Sequence, residues 1–216
     1  MDAIECIKGR WSVRKFRPDP VPRATLEAIC EAALRSPSYK NTQPWEAIIL
    51  SGAAKDALSA RLVEALAAGF PPTPDIPAPT SWPDINQARI DALFSRRGVN
   101  ASDPELARKS KEANFRFYGA PHGIYLFQDS SLGAWSLFDM GLFAQSLMLA
   151  AFAFGVGTVP QAFLTDYASI VKEALGIDTA KRLCLGLSVG YPDMAHPINQ
   201  FRTERAALSE IMKWME

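Results

Sequence analysis

The sequence predicts a layered fold of the α+β or α/β kind in a single domain, residues 1–216. Three observations predict it. Short apolar runs that read as buried strands, WEAIIL, GIYLF and LCLGLSV, are separated by segments with helical spacing. The chain is 48% hydrophobic, enough for one packed core. Apart from one proline-rich segment there is no low-complexity tract and no internal repeat.

Taken in order, Asp2 caps a short helix from Ala3 to Lys8, and Gly9 ends it. RWSVRKF (10–16) follows as extended chain. Pro22 fits the first turn of a helix whose apolar residues, Leu26, Ile29, Cys30, Ala33 and Leu34, lie at helical offsets. Ser36-Pro37 stops it, and SPSYKNTQPW makes a polar turn. Trp45 to Leu50 reads as a strand, and Ala53 to Ala68 as a helix with Leu58, Leu62 and Leu66 in register. Six prolines between Phe70 and Pro83 forbid helix and central strand alike. The embedded Phe70, Ile76 and Trp82 point to a semi-rigid surface excursion rather than a linker.

Weak helices follow at Asp84–Arg97 and Glu105–Tyr118, then the strand Gly123–Phe127 and a long apolar helix within Ala134–Gly157. Thr158-Val159-Pro160 is a candidate third strand. Asp166 is placed to cap a helix ending at Gly176, and Leu183–Val189 is a further strand stopped by Gly190 and Pro192. The tail from Arg202 is readable as helix or as extended arm.

Charge excludes some classes of partner. Lys plus Arg equals Asp plus Glu at 23 each, so nucleic acid and anionic membrane are not expected, and any bound anion needs a local cluster. The apolar run from Ala134 carries Asp139, Gln145 and Ser146; a central Asp costs about 2.5–3.5 kcal/mol on insertion scales, so a buried helix is expected there, not a membrane span. Cys6, Cys30 and Cys184 read as free thiols, which together with a non-secretory N-terminus predicts the cytoplasm. Neither His122 nor His196 has metal or triad spacing, and His122 reads as a satisfied structural residue. Nucleotide-binding glycine fingerprints are missing at the strand–helix junctions. If the chain is an enzyme, a cofactor does the hard step.

Three clusters carry candidate chemistry. In an extended segment Arg10, Ser12 and Arg14 project from one face, a seat for a phosphate, while Trp11 and Val13 turn to the core. The alternative is a solvated edge whose charges discourage aggregation. SPSYKNTQPW offers Ser38, Asn41 and Gln43 beside Tyr39 and Trp45, fit to read a planar heterocycle or simply to make a turn. NQFRTER offers Asn199, Arg202, Thr203 and Arg205 to an anion, or else solvated charges on a helix.

Together, RxSxR, then PSxxNxQPW, then RTER after a Gly-Tyr-Pro turn, in this order, resemble the FMN-dependent nitroreductase family over nearly the whole chain. Asp19–Pro22 and the proline-rich excursion are most similar to its nitrobenzoate-reductase branch. The resemblance implies an α+β fold with a central mixed β-sheet flanked by helices, in an intertwined homodimer with FMN at the interface. It implies that Arg10 and Arg205 hold the FMN phosphate, with Trp11 and Ser12 beside it, Arg202 as a second cation of the tail, and Arg14 near the pyrimidine end. Pro37, Ser38, Tyr39 and Asn41 would come from the partner subunit, and Pro160, Gln161 and Ala162 would pass along the isoalloxazine with backbone hydrogen bonds near N5. The implied activity is ping-pong electron transfer from NADH or NADPH to a nitroaromatic or quinone, with Tyr39 and Trp82 against the small aromatic substrate. Dehalogenation or ring oxidation on the same fold, or a flavin carrier or sensor without turnover, are the alternatives.

Overall fold

The computed structural model describes residues 2–98 and 102–216. Helix α1 spans Ala3–Gly9. Its start is a reciprocal capping box: Glu5 N–H donates to the Asp2 carboxylate at 2.8 Å, and Asp2 N–H to the Glu5 carboxylate at 2.9 Å. It ends where Gly9 passes so close to Phe152 that an added Cβ would lie 2.9 Å from the ring. Helix α2, Arg23–Ala33, starts after Pro22, which stands at the cap position, one place before the first turn expected for it.

A single 3-10 turn at Tyr39–Asn41 leads to β1 (Glu46–Ser51) and α3 (Gly52–Ala67). Then come α4 (Asp84–Arg96), α5 (Pro104–Phe115), β2 (His122–Asp129) and α6 (Ala134–Ala153). The chain closes with β3 (Gly157–Gln161), α7 (Ala168–Leu175), β4 (Lys181–Gly190) and a one-turn helix α8 (Leu208–Ile211).

The strands form one sheet in the order β1-β2-β4-β3, and all three pairings are antiparallel. The parallel component of the sheet is a single bridge, Ser12 to Thr158, where the segment after α1 lies along β3. Each face of the sheet carries its own core. Tyr125 and Phe127 of β2 pack with Leu58, Leu62, Phe115 and Val171 from α3, α5 and α7. Ile124 and Leu126 pack on the other side with Leu26, Ile29, Phe143 and Leu147 from α2 and α6. Burial on both faces explains why GIYLF is continuously apolar instead of alternating.

The register of β2 on β4 slips between Leu126 and Phe127, which pair with Leu185 and Leu183, so Cys184 is an extra residue in the ladder. All three cysteines are free.

Two expectations change. Asp166 does not cap a helix: it follows the 3-10 turn Ala162–Thr165, its carboxylate lies 3.4 Å from Lys111, and α7 begins two residues later behind Tyr167. The tail is neither a full helix nor a plain arm, being extended from Arg202 with the single turn of α8 inserted.

The proline-rich excursion is fastened along its first half. Tyr167 donates its hydroxyl to Phe70 O at 3.2 Å, and Thr73 N–H donates to Asp166 O at 2.6 Å. Asp75 accepts both the Lys172 ammonium and the Leu183 N–H at 2.7 Å. Because β3 stops opposite Gly186, the Asp75 carboxylate occupies the side of β4 that no strand reaches.

Candidate functional site

The segment 10–17 is held in place by backbone bonds. Val13 N–H donates to Thr158 O at 3.0 Å, Arg17 N–H to Tyr191 O at 2.9 Å, and Asp193 N–H to Lys15 O at 3.1 Å. Asn199, fully buried, staples it from the far end of the chain. Its amide oxygen accepts Arg14 N–H at 2.9 Å, and its NH2 donates to Lys15 O at 2.7 Å and Asp193 O at 2.8 Å. Val13 turns into the core as the alternation requires, and Phe16, of the opposite parity, is buried as well. Trp11 packs against the core only in part: it is half-buried, meets Phe152 edge-on at 5.7 Å, and lends a face to the Arg202 guanidinium 4.0 Å above it.

This arrangement walls a cleft of about 650 Å³ between the segment and the tail, lined by Arg10, Trp11, Ser12, Arg14, Arg202 and Arg205, among others. The structure thus brings together the first and third sequence clusters. None of the four arginines has a carboxylate within ion-pair distance among the described residues. Arg10 Nε and Trp11 Nε1 are buried without a hydrogen-bond partner. Burial, and secondly the charge of Arg205, hold the Arg10 guanidinium below its ordinary pKa. Burial also lowers Arg14; nearby Tyr118 opposes that shift and Arg97 adds to it.

Cations packed together without counter-charge, beside donors without acceptors, are the signature of a site built for an anion.

The second cluster lies elsewhere. Pro37, Ser38, Tyr39 and Asn41 do not line the cleft. Tyr39 N–H donates to the buried Asp139 carboxylate at 3.1 Å, and Gln43 N–H to Ser38 Oγ at 2.9 Å, fixing a loop in which Lys40, Asn41 and Gln43 all have positive φ. Two rulers give the separation. From Asp139 to Phe152 is 13 residues of helix, about 20 Å at 1.5 Å per residue. From β1 across the sheet to the 10–16 segment is four strand spacings, about 19 Å. Within one chain the loop and the cleft are at opposite ends of the molecule's central helix.

Pro160 and Gln161 close β3. Thr158 turns its carbonyl outward to Val13, and Pro160 shares that parity, so its carbonyl faces the same open edge and its missing N–H costs no ladder bond. The Gln161 side chain points away from that edge. It donates to Asn114 O and Oδ1 at 3.1 and 3.0 Å and accepts from Ser188 Oγ, all buried. The Gln161 side chain is thus taken up by partners within the protein. Ala162 is exposed at the start of the turn that follows. Trp82 is 47% exposed and does not line the cleft. The sequence reading missed Asn199 as a staple, Asp139 as the anchor of the loop, and Asn114 with Ser188 as the support of β3.

A twice-covered sheet with an unpaired-arginine cleft along its edge defines a binder of an anionic organic ligand. The chain belongs to the nitroreductase family, which residues 7–191 match. It is 40% identical to nitroreductase NfnB of Mycolicibacterium smegmatis over 98% of this chain and 92% of that one. It is 32% identical to a 4-nitrobenzoate reductase of Pseudomonas putida over 94% and 90% of the two chains. The crystal structure of the FMN-dependent NfnB from M. smegmatis in complex with NADPH superposes with a TM-score of 0.93 at 39% identity, covering 99% of this chain and 98% of that one. The FMN- and NADPH-dependent NfnB of a Sphigopyxis strain gives the same TM-score at 30% identity over the full length of both.

Proposed function

We propose that the chain is an NAD(P)H-dependent FMN oxidoreductase that reduces nitroaromatic or quinone-like acceptors, working as a cytoplasmic homodimer with two shared sites. The observation that carries this is the cleft with four guanidiniums and no carboxylate in a chain of zero net charge. The residues present fit FMN: the orphaned Arg10 Nε and Trp11 Nε1 and the unpaired Arg205 suit a dianionic phosphate. The chemistry that bound FMN supplies is acceptance of hydride from the nicotinamide at N5 and its delivery to the second substrate in the same pocket.

The protein's part is to bind and orient. Arg10, Arg205 and Ser12 hold the phosphate, with Trp11 beside it and Arg202 braced on the indole as the tail's second cation. Arg14, stiffened through its N–H bond to Asn199, faces the pyrimidine end, where fixed positive charge favours the reduced, more negative state. The β3 edge at Pro160, Gln161 and Ala162 offers only backbone groups to the ring. Pro37, Ser38, Tyr39 and Asn41 complete the site from a second copy, a reading that their distance from the cleft in one chain supports.

Helix α6 supports the dimer. It is apolar nearly all round and is the one helix among the described residues long and apolar enough to span a membrane, yet fewer than half of the residues in that stretch are buried. A helix of this kind belongs inside a protein, and a second copy covers it. Three free cysteines suit a reducing compartment. The excursion at 70–83 and the arm from 202 are parts of the one domain, 1–216.

The purified protein is expected to be yellow, to release FMN on denaturation, and to oxidise NADPH when a nitroarene is added. Bound FMN without turnover would leave a flavin carrier, and a colourless protein that ignores added FMN would end the proposal.

A further inference from the structure

At the N-terminal end of α6 three large aromatic rings stand open in one patch. Trp135, Phe138 and Tyr39 are 67%, 62% and 53% exposed. Tyr39 lies over Trp135 with ring centroids 6.0 Å apart and planes within 16°, and Trp135 meets Phe138 edge-on at 6.3 Å. Contiguous apolar surface of this size marks a contact region. Its position is not independent of the loop before β1. The Tyr39 N–H bond to Asp139, the residue next to Phe138, makes the loop and the first turns of α6 one unit.

We propose that Trp135 and Phe138 travel with that loop to the second copy and form a wall of its acceptor pocket, selecting flat, electron-poor arenes. This rests on the reading that Tyr39 and its neighbours serve the other subunit's cleft. Indole and phenol rings carry electron-rich faces, and an arene depleted by a nitro group presents the opposite polarity, so offset stacking is favoured. Lys40 Nζ, 5.5 Å from the Tyr39 ring centroid, sets a positive charge beside the stack for the oxygens of such a substrate. Neither ring is needed for the cleft that holds the phosphate, so affinity for FMN and affinity for the acceptor separate experimentally.

The test uses the FMN-loaded dimer and the variants Trp135→Ala and Trp135→Phe. Loss of one aromatic pair corresponds to a KM for nitrobenzene raised about tenfold in Trp135→Ala. FMN content and dimer mass by light scattering are expected to stay within about twofold, and Trp135→Phe to restore most of the lost affinity. Titrating nitrobenzene without NADPH is expected to quench wild-type tryptophan fluorescence with a saturable component that Trp135→Phe lacks. Unchanged KM and unchanged saturable quenching would overturn the proposal. So would dissociation of Trp135→Ala into monomers, which would make the patch a plain subunit contact. Failure of the wild-type protein to bind FMN at all would instead sink the functional reading, before any variant is made.

Discussion

Arg205 and Arg10 line one cleft, close enough for their charges to repel, and neither has an ion-pair partner among the described residues. A dianion between them turns repulsion into two charge-assisted contacts. Removing one such contact costs about 1.5–3 kcal/mol, or roughly ten- to a hundredfold in affinity. Arg205→Ala is therefore expected to raise the FMN dissociation constant by that factor, read from flavin fluorescence on titrating the apoprotein. Lys15→Ala is expected to leave it nearly unchanged, because the Lys15 side chain is exposed and only its carbonyl is used, by Asn199 and Asp193. Equal losses would contradict the phosphate role of Arg205.

At this scale the alternation of Arg10, Ser12 and Arg14 could be read from the sequence, because period two needs no tertiary information. Asn199 could not be read as a staple. Two of its three bonds join residues 184 and 185 positions apart, and no local pattern records such a closure. The direction of the Gln161 side chain was hidden for the same reason, since Asn114 and Ser188 come from other elements.

His122 ties three elements at once. Its Nε2 accepts Val21 N–H at 2.9 Å ahead of α2, and its Nδ1 shares a 2.5 Å hydrogen bond with Ser51 Oγ at the end of β1. The first bond fixes the tautomer: Nε2 accepts, so Nδ1 carries the proton. Burial first, and the charge of Lys55, hold its pKa below the ordinary 6.5. Between the lowered native value and 6.5 the unfolded chain binds the proton and the folded chain does not. The contribution of His122 is therefore complete above about pH 6.5 and is lost as the pH falls through its lowered native pKa. Urea midpoints measured from pH 7.5 down to 5 are expected to fall more steeply for wild type than for His122→Gln, and identical slopes would refute the assignment.

Helix α2 was readable because burial follows the helical repeat, and α6 because a long run apolar nearly all round belongs inside a protein. The start of α7 was not. Asp166 looks like a cap, but its carboxylate is engaged by Lys111 and its carbonyl by the proline-rich strap, both contacts made only in three dimensions. The strap was read as a surface feature because proline cannot join a ladder. Asp75, which pins it to Lys172 and Leu183, carried no signal.

For the whole molecule, the exposed side of α6 suits a covering surface, and the proposed one is a second copy in a twofold pair. Co-expressed chains bearing two different tags are expected to co-purify as stable mixed dimers that hold flavin. A monomer retaining FMN tightly would contradict the shared site. The separation of about 20 Å along α6 has a genetic corollary. In the proposed dimer each catalytic centre would draw its cation half from one polypeptide and its loop half from the other. An Arg205→Ala chain and an Asn41→Ala chain, each crippled alone, would then complement when paired, since one hybrid centre inherits both intact halves while its sibling inherits both lesions.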